Sequence, residues 1–177
     1  MDIRCVVTGQ TGAGKSVIVR DAPIKPVCLT LLPGYEFHPL WGSDSTAQLP
    51  SDGTPPPHPL YFPPVHGFRF AFFTIPPDST ARVARADIPA AFEEAGRKLP
   101  GLMDVMEREH PGMHITDTVD FGVVVSGEVD LELDDGVEVH LKAGNCVIQN
   151  GTRHAWHNRS AQACVISVAL IGAERKR

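Results

Sequence analysis

"GMHITDTVDFGVVVSGEVDLELDDG" (residues 112–136) and "KAGNCVIQNGTRHAWHN" (residues 142–158) decide how the rest of the chain is read. Side chains two apart on a strand point the same way, so His114, Thr116, Thr118 and Asp120 share one face. Four polar side chains facing a barrel interior are costly unless they bind something. "VDLEL", "DDG" and "VEVHLKAGN" read as a hairpin with alternating sides. From residue 113 onward, strand and turn alternate in the rhythm of a β-sandwich or barrel.

The two stretches resemble the paired signature motifs of the cupin superfamily, small β-barrels of the jelly-roll type. In the first motif His114, Thr116, Asp120 and Gly127 keep the family spacing, with Thr116 in place of a second histidine and Asp120 in place of glutamate. In the second, Gly144, Gly151, His154 and Asn158 match, with Gln149 in the proline position and the first spacer one residue short. The resemblance covers residues 112–172 and implies an all-β barrel. With His154 on the same wall, two imidazoles and one carboxylate meet, a set suited to Fe(II), Zn²⁺, Mn²⁺ or Ni²⁺. The expected metal ligands are therefore His114, Asp120 and His154, with Asp120 and His114 as the catalytic proton carriers. Thr116, Trp156 and Gln149 are expected to line a substrate pocket. The alternative for His114 and Asp120 is a hydrogen-bonded pair filling the barrel without metal.

The implied function is a metal-dependent enzyme on a polar or aromatic small molecule, acting by dehydration, decarboxylation or proton transfer as a lyase or isomerase. A non-catalytic ligand-binding barrel and a non-haem iron dioxygenase on the same site are the alternatives. Family members pair through their sheets, so a homodimer is expected, with the aromatic strand "GFRFAFFTI" (67–75) as added contact.

Working outward, "VVTGQTGAGKSVIV" (6–19) matches the phosphate-loop spacing G-x-x-x-x-G-K-S. That loop needs a helix starting at its lysine, so that backbone N–H groups converge on phosphate. Val17, Ile18 and Val19 favour a strand, and Pro23 and Pro26 close off any helix. A hairpin turning at "QTGAGK" fits, and no nucleotide cofactor is expected.

Residues 1–85 read as N-terminal strands plus a loop. "PSDGTPPPHPLYFPP" (50–64) holds seven of the sixteen prolines, too many for an interior strand. "EFHPLWGSD" reads as loop-like, leaving Glu36, His38 and Trp41 without a role. Residues 86–111 hold a helical insertion, spanning about residues 87–109. Asp87 caps it, Pro89 sits in the first turn, and Phe92, Ala95 and Leu99 share a face. A second short helix is expected over "LMDVMEREH" (102–110) as a packing element, with cover of the barrel mouth by the insertion as the alternative. The barrel core is expected from Val123, Val125 and Leu131, and residues 173–177 form a tail.

One domain accounts for all 177 residues. A net charge of −5 argues against nucleic acid as partner. No apolar run is long enough to span a membrane, and the N-terminus lacks the plan of a secretion signal, so a cytoplasmic setting is expected. Cys5, Cys28, Cys146 and Cys164 lie far apart and read as reduced, buried small hydrophobes. His157 has opposite parity to His154 and is expected outside the barrel, while His58, His66, His110 and His140 read as surface histidines.

Overall fold

The computed structural model describes residues 2–80 and 82–176. Residue 177, the end of the expected tail, lies outside the described residues. The fold is all-β, a barrel of the jelly-roll type, with one α-helix among the described residues. The strands are β1 (Ile3–Gln10), β2 (Ser16–Ile24), β3 (Val27–Leu29), β4 (Leu32–Ser43) and β5 (Phe68–Ile75), then helix α1 (Ile88–Lys98), then β6 (Thr118–Ser126), β7 (Glu128–Glu132), β8 (Glu138–Lys142), β9 (Cys146–Asn150), β10 (Ala155–His157) and β11 (Cys164–Gly172). β1 and β2 pair alone, β10-β7-β8 form a second sheet, and β3-β4-β5-β11-β6-β9 form the third.

The hairpin over the glycine-rich stretch is present. Thr11 N–H donates to the Lys15 carbonyl at 2.9 Å, and Gly14 N–H to the Thr11 carbonyl at 2.8 Å. Gly14 has φ 77°, a value that glycine adopts without a Cβ clash. Strand β2 begins at Ser16, so no helix N-terminus stands behind Lys15.

The two larger sheets meet over a core of Ile75, Val124, Val129, Leu131, Leu141, Cys164 and Ile166. Leu131 takes its expected place, but Val123 and Val125 do not, being 40 % and 37 % exposed. The parity that turns Asp120 inward turns odd-numbered residues of β6 outward, so Val124 supplies the core instead. Cys164 is buried as expected, whereas Cys146 and Cys28 are exposed and Cys5 is half-buried.

Glu36, His38 and Trp41 lie in β4 rather than a loop. Pro39 is tolerated there because β3 pairs only as far as Phe37, leaving the flank of Pro39 without a neighbouring donor requirement. The helical expectation holds for Ile88–Lys98, with Pro89 in its first turn. Its buried face is Ala91, Ala95 and Leu99, while Phe92 is 48 % exposed. The second helix is absent: Met103–Val105 is a single 3-10 turn, after which Met106 is extended and bridges His114. Glu107 N–H then donates to the Met113 carbonyl, so strand pairing takes the backbone groups that a helix needs.

The proline-rich segment carries no strand, and its end is fixed by the buried Arg69. Arg69 donates to the Ser43 carbonyl at 2.8 Å and the Leu60 carbonyl at 2.9 Å, and pairs with Asp44. Tyr61 N–H donates to the Pro100 carbonyl at 2.8 Å, placing Tyr61 and Phe62 beside the barrel opening.

Candidate functional site

His114 lies just before β6 and His154 just before β10, and an isolated antiparallel bridge joins them. Each backbone N–H donates to the other's carbonyl at 3.0 Å. This pairing brings the two imidazoles to a centroid separation of 4.1 Å, tilted by 50°. His114 Nδ1 lies 3.0 Å from the Gly112 carbonyl and His154 Nδ1 lies 2.9 Å from the Thr152 carbonyl. A carbonyl only accepts, so each Nδ1 carries the proton and each Nε2 keeps its lone pair. Burial pushes the His154 pKa down to about 4, with the nearby His114 as the second cause. Burial also lowers His114, against the opposing pull of the Gly112 carbonyl. Both rings are neutral at pH 7.

Asp120 sits in mid-β6, opposite Gln149 of β9 and Leu170 of β11. Its Oδ1 is buried and has no hydrogen-bond partner. Burial raises its pKa to about 6. The Thr118 hydroxyl beside it pulls the other way but is outweighed by burial; that hydroxyl also lies 2.8 Å from Thr116 Oγ1. The Tyr61 hydroxyl is held well above its ordinary range, by burial first and by the Asp120 charge second.

These groups open on one cavity of about 1120 Å³. His114, Thr116, Asp120, Gln149, His154 and Trp156 all line it, and Thr118 is buried beside Thr116 without lining it. The Trp156 ring meets His154 edge-on at 5.8 Å and Phe73 at 6.4 Å. His157 points away, its Nε2 2.6 Å from a Glu132 oxygen. The remaining wall was not legible as a site in the sequence: Tyr35 and Phe37 from β4, Tyr61 and Phe62 from the proline-rich segment, Phe73 from β5, and Met103 and Met106 from the insertion. Among these, Phe73 lay in the aromatic strand read over 67–75. At the rim Glu107 and Arg153 form a two-bond ion pair at 2.6 and 2.7 Å, tying the insertion to the residue before His154.

The donor types suit a divalent metal, since two imidazoles present free Nε2 lone pairs and Asp120 has an unclaimed oxygen. The grouping falls short of the expected set: among the described residues, no three His, Cys, Asp or Glu side chains gather so as to hold a metal ion. The imidazoles are adjacent, whereas Asp120 shares their cavity without joining them. Among the described residues no helix is long and apolar enough to cross a membrane.

Residues 101–170 match the family model of the Cupin domain. The phomopsin biosynthesis cluster protein C' of Diaporthe leptostromiformis is 44 % identical over 73 residues, covering 38 % of this chain and 39 % of that protein. A cupin-domain-containing oxidoreductase, virC, of Hypocrea virens is 37 % identical over 46 residues, 26 % of this chain and 24 % of that one. The chain thus spans about two fifths of the length of the phomopsin cluster protein. Among solved structures, the cupin domain of Schizosaccharomyces pombe Cnp3 aligns over 97 % of this chain and 87 % of its own, at 9 % identity and a TM-score of 0.48.

Proposed function

We propose, on the match of residues 101–170 to the Cupin domain family model, that the barrel cavity is the active site of a small-molecule enzyme performing proton transfer of the lyase or isomerase kind. The observation that carries this is the presence of three unclaimed acceptors, His114 Nε2, His154 Nε2 and Asp120 Oδ1, in one largely apolar cavity. Unpartnered polar groups in such surroundings cost stability, and that cost is accepted where they meet a ligand. The fixed Nε2 lone pairs take a proton from a bound substrate, and Asp120 takes or returns one. The aromatic walls exclude water and hold the apolar part of the substrate.

A second reading is favoured by the two free Nε2 atoms: a divalent ion held by His114 and His154, with water or substrate filling its other positions. When bound it would act as a Lewis acid on a substrate carbonyl or carboxylate. Here too the chain's own contribution is the neutral tautomer of each ring, set by the Gly112 and Thr152 carbonyls.

The test incubates a small-molecule extract of the native host with the wild type, His114→Ala or Asp120→Asn, and follows consumed species by mass spectrometry. Proton-transfer chemistry predicts products of equal mass, or lighter by water or carbon dioxide, formed in chelator and absent with either variant. Products that gain oxygen, or that require added metal, replace the first reading with the metal-dependent one. No consumed species at all would leave a binding module.

A further inference from the structure

The polar end of the cavity presents three unclaimed acceptors and no cationic donor; its other donors are neutral, the hydroxyls of Thr116 and Tyr61 and the Trp156 N–H. Both Nδ1–H groups are spent on the Gly112 and Thr152 carbonyls, so His114 and His154 offer the cavity a lone pair each. Asp120 Oδ1 receives no donor. The Thr118 hydroxyl lies against Thr116 Oγ1, and the Gln149 amide leans toward the Thr152 carbonyl at 3.5 Å. The charge balance points the same way. The charged residues lining the cavity are Asp104, Glu107, Arg108 and Asp120. Glu107 is claimed by Arg153, and Arg108 is exposed at the rim. The buried end therefore carries a carboxyl group and no fixed cation. Its walls are aromatic, formed by Tyr35, Phe37, Tyr61, Phe62, Phe73 and Trp156.

From this we infer that the ligand of the cavity is an amine: a protonated, donor-rich head group carried on an apolar or aromatic body. An ammonium group has three N–H donors and no acceptor, the complement of two imidazole lone pairs and a carboxylate. It restores charge balance at Asp120, and ring faces attract it where water is excluded. A carboxylate or phosphate ligand would instead bring a second negative charge into a site with no counter-charge. The cavity is large enough for an aromatic body together with the head group. This inference rests on the cavity being a small-molecule site and specifies what enters it.

The experiment uses the full chain and three probes of one shape: 2-phenylethylamine, 2-phenylethanol and 3-phenylpropionate. Binding is followed by calorimetry and by the fluorescence of Trp156, with Trp156→Phe identifying its signal. At about pH 8 the amine is expected to bind at least about tenfold more tightly than the alcohol, with no binding by the propionate. Asp120→Asn should remove the preference, bringing the amine to the level at which the same variant binds the alcohol; Asp120→Ser serves if the first variant fails to fold. If the alcohol or propionate binds as tightly as the amine, the ligand class is wrong and the small-molecule cavity stands. An amine preference that persists without the Asp120 charge, or that disappears with chelator, also overturns the inference. If none of the probes binds at millimolar concentration, the small-molecule reading falls with it.

Discussion

His114 and His154 are hydrogen-bonded cross-strand neighbours whose imidazoles stand 4.1 Å apart, each held in one tautomer by the carbonyl two residues before it. The short segments 112–114 and 152–154 thus orient both rings by backbone contacts alone. No side chain is needed to aim them, and the lone pairs they present depend on local geometry.

That arrangement sets an opposed pH dependence. His154 is lowered to about 4 and His114 is also lowered, so the native state binds fewer protons than the unfolded chain below the ordinary histidine value. Their contribution to stability therefore rises with pH from about 4 to 6.5. Asp120 is raised to about 6, so the native state binds the extra proton and stability falls as pH rises from about 4 to 6. Denaturant midpoints of the wild type should change little across this window. Asp120→Asn should show a rising profile there, with greater stability than wild type at pH 7 by up to about 3 kcal/mol. A flat profile in that variant would count against the buried, neutral imidazoles.

Asn158, the last residue of the second motif, is expected to be structural. It is fully buried, donates to the Ile75 carbonyl at 2.9 Å and the Gln162 carbonyl at 2.8 Å, and accepts from Ser160. Asn158→Ala should cost about 1–3 kcal/mol in chemical denaturation, because the buried Ile75 carbonyl loses its donor while the Gln162 carbonyl keeps the Ser160 hydroxyl.

The Glu107–Arg153 pair closes the insertion over the cavity rim. Arg153→Ala should raise amide exchange at Glu107 and His114, whose N–H groups bond the Met113 and His154 carbonyls. Exchange in the core strands β6 and β11 should stay unchanged. Equal protection in wild type and variant would show that the bridge at Met106 holds the segment without the ion pair.

Self-association is expected through the outer face of the six-stranded sheet. Phe70, Ala169, Phe121 and Ile148 are successive cross-strand neighbours there, and Phe70, Phe121 and Ile148 are all exposed. A row of this kind in contact with water favours pairing with a second copy through the same face. Light scattering should give twice the 19.2 kDa of one chain, and Phe121→Ser with Ile148→Ser should halve that mass. A single-chain mass for the wild type at working concentration would rule this out.

The loop at residues 9–16 should bind no nucleotide. Calorimetry with Mg-ATP and Mg-GTP is expected to show no saturable heat, and Lys15→Ala should leave the probe binding described above unchanged. The reason is the strand that follows Lys15.

Part of this molecule was readable from local pattern. Alternation placed Asp120 on the inner face of β6, and branched residues with glycines at the turn specified the β1–β2 hairpin. Prolines kept residues 50–64 out of any strand. These features depend on neighbours a few residues apart, and periodicity records such neighbours. Tertiary structure decided the rest. Tyr61 and Phe62 became cavity walls because the Tyr61 N–H bonds the carbonyl of Pro100, far along the chain beyond α1. Residues 106 and 107 left the helix because the 113–114 segment offered them strand partners. The imidazoles met through a backbone bridge across forty residues, while Asp120 stayed with β9 and β11. Spacing along a chain specifies which side of a strand a residue faces; which groups meet across the barrel depends on register, and register is set by pairing between distant segments.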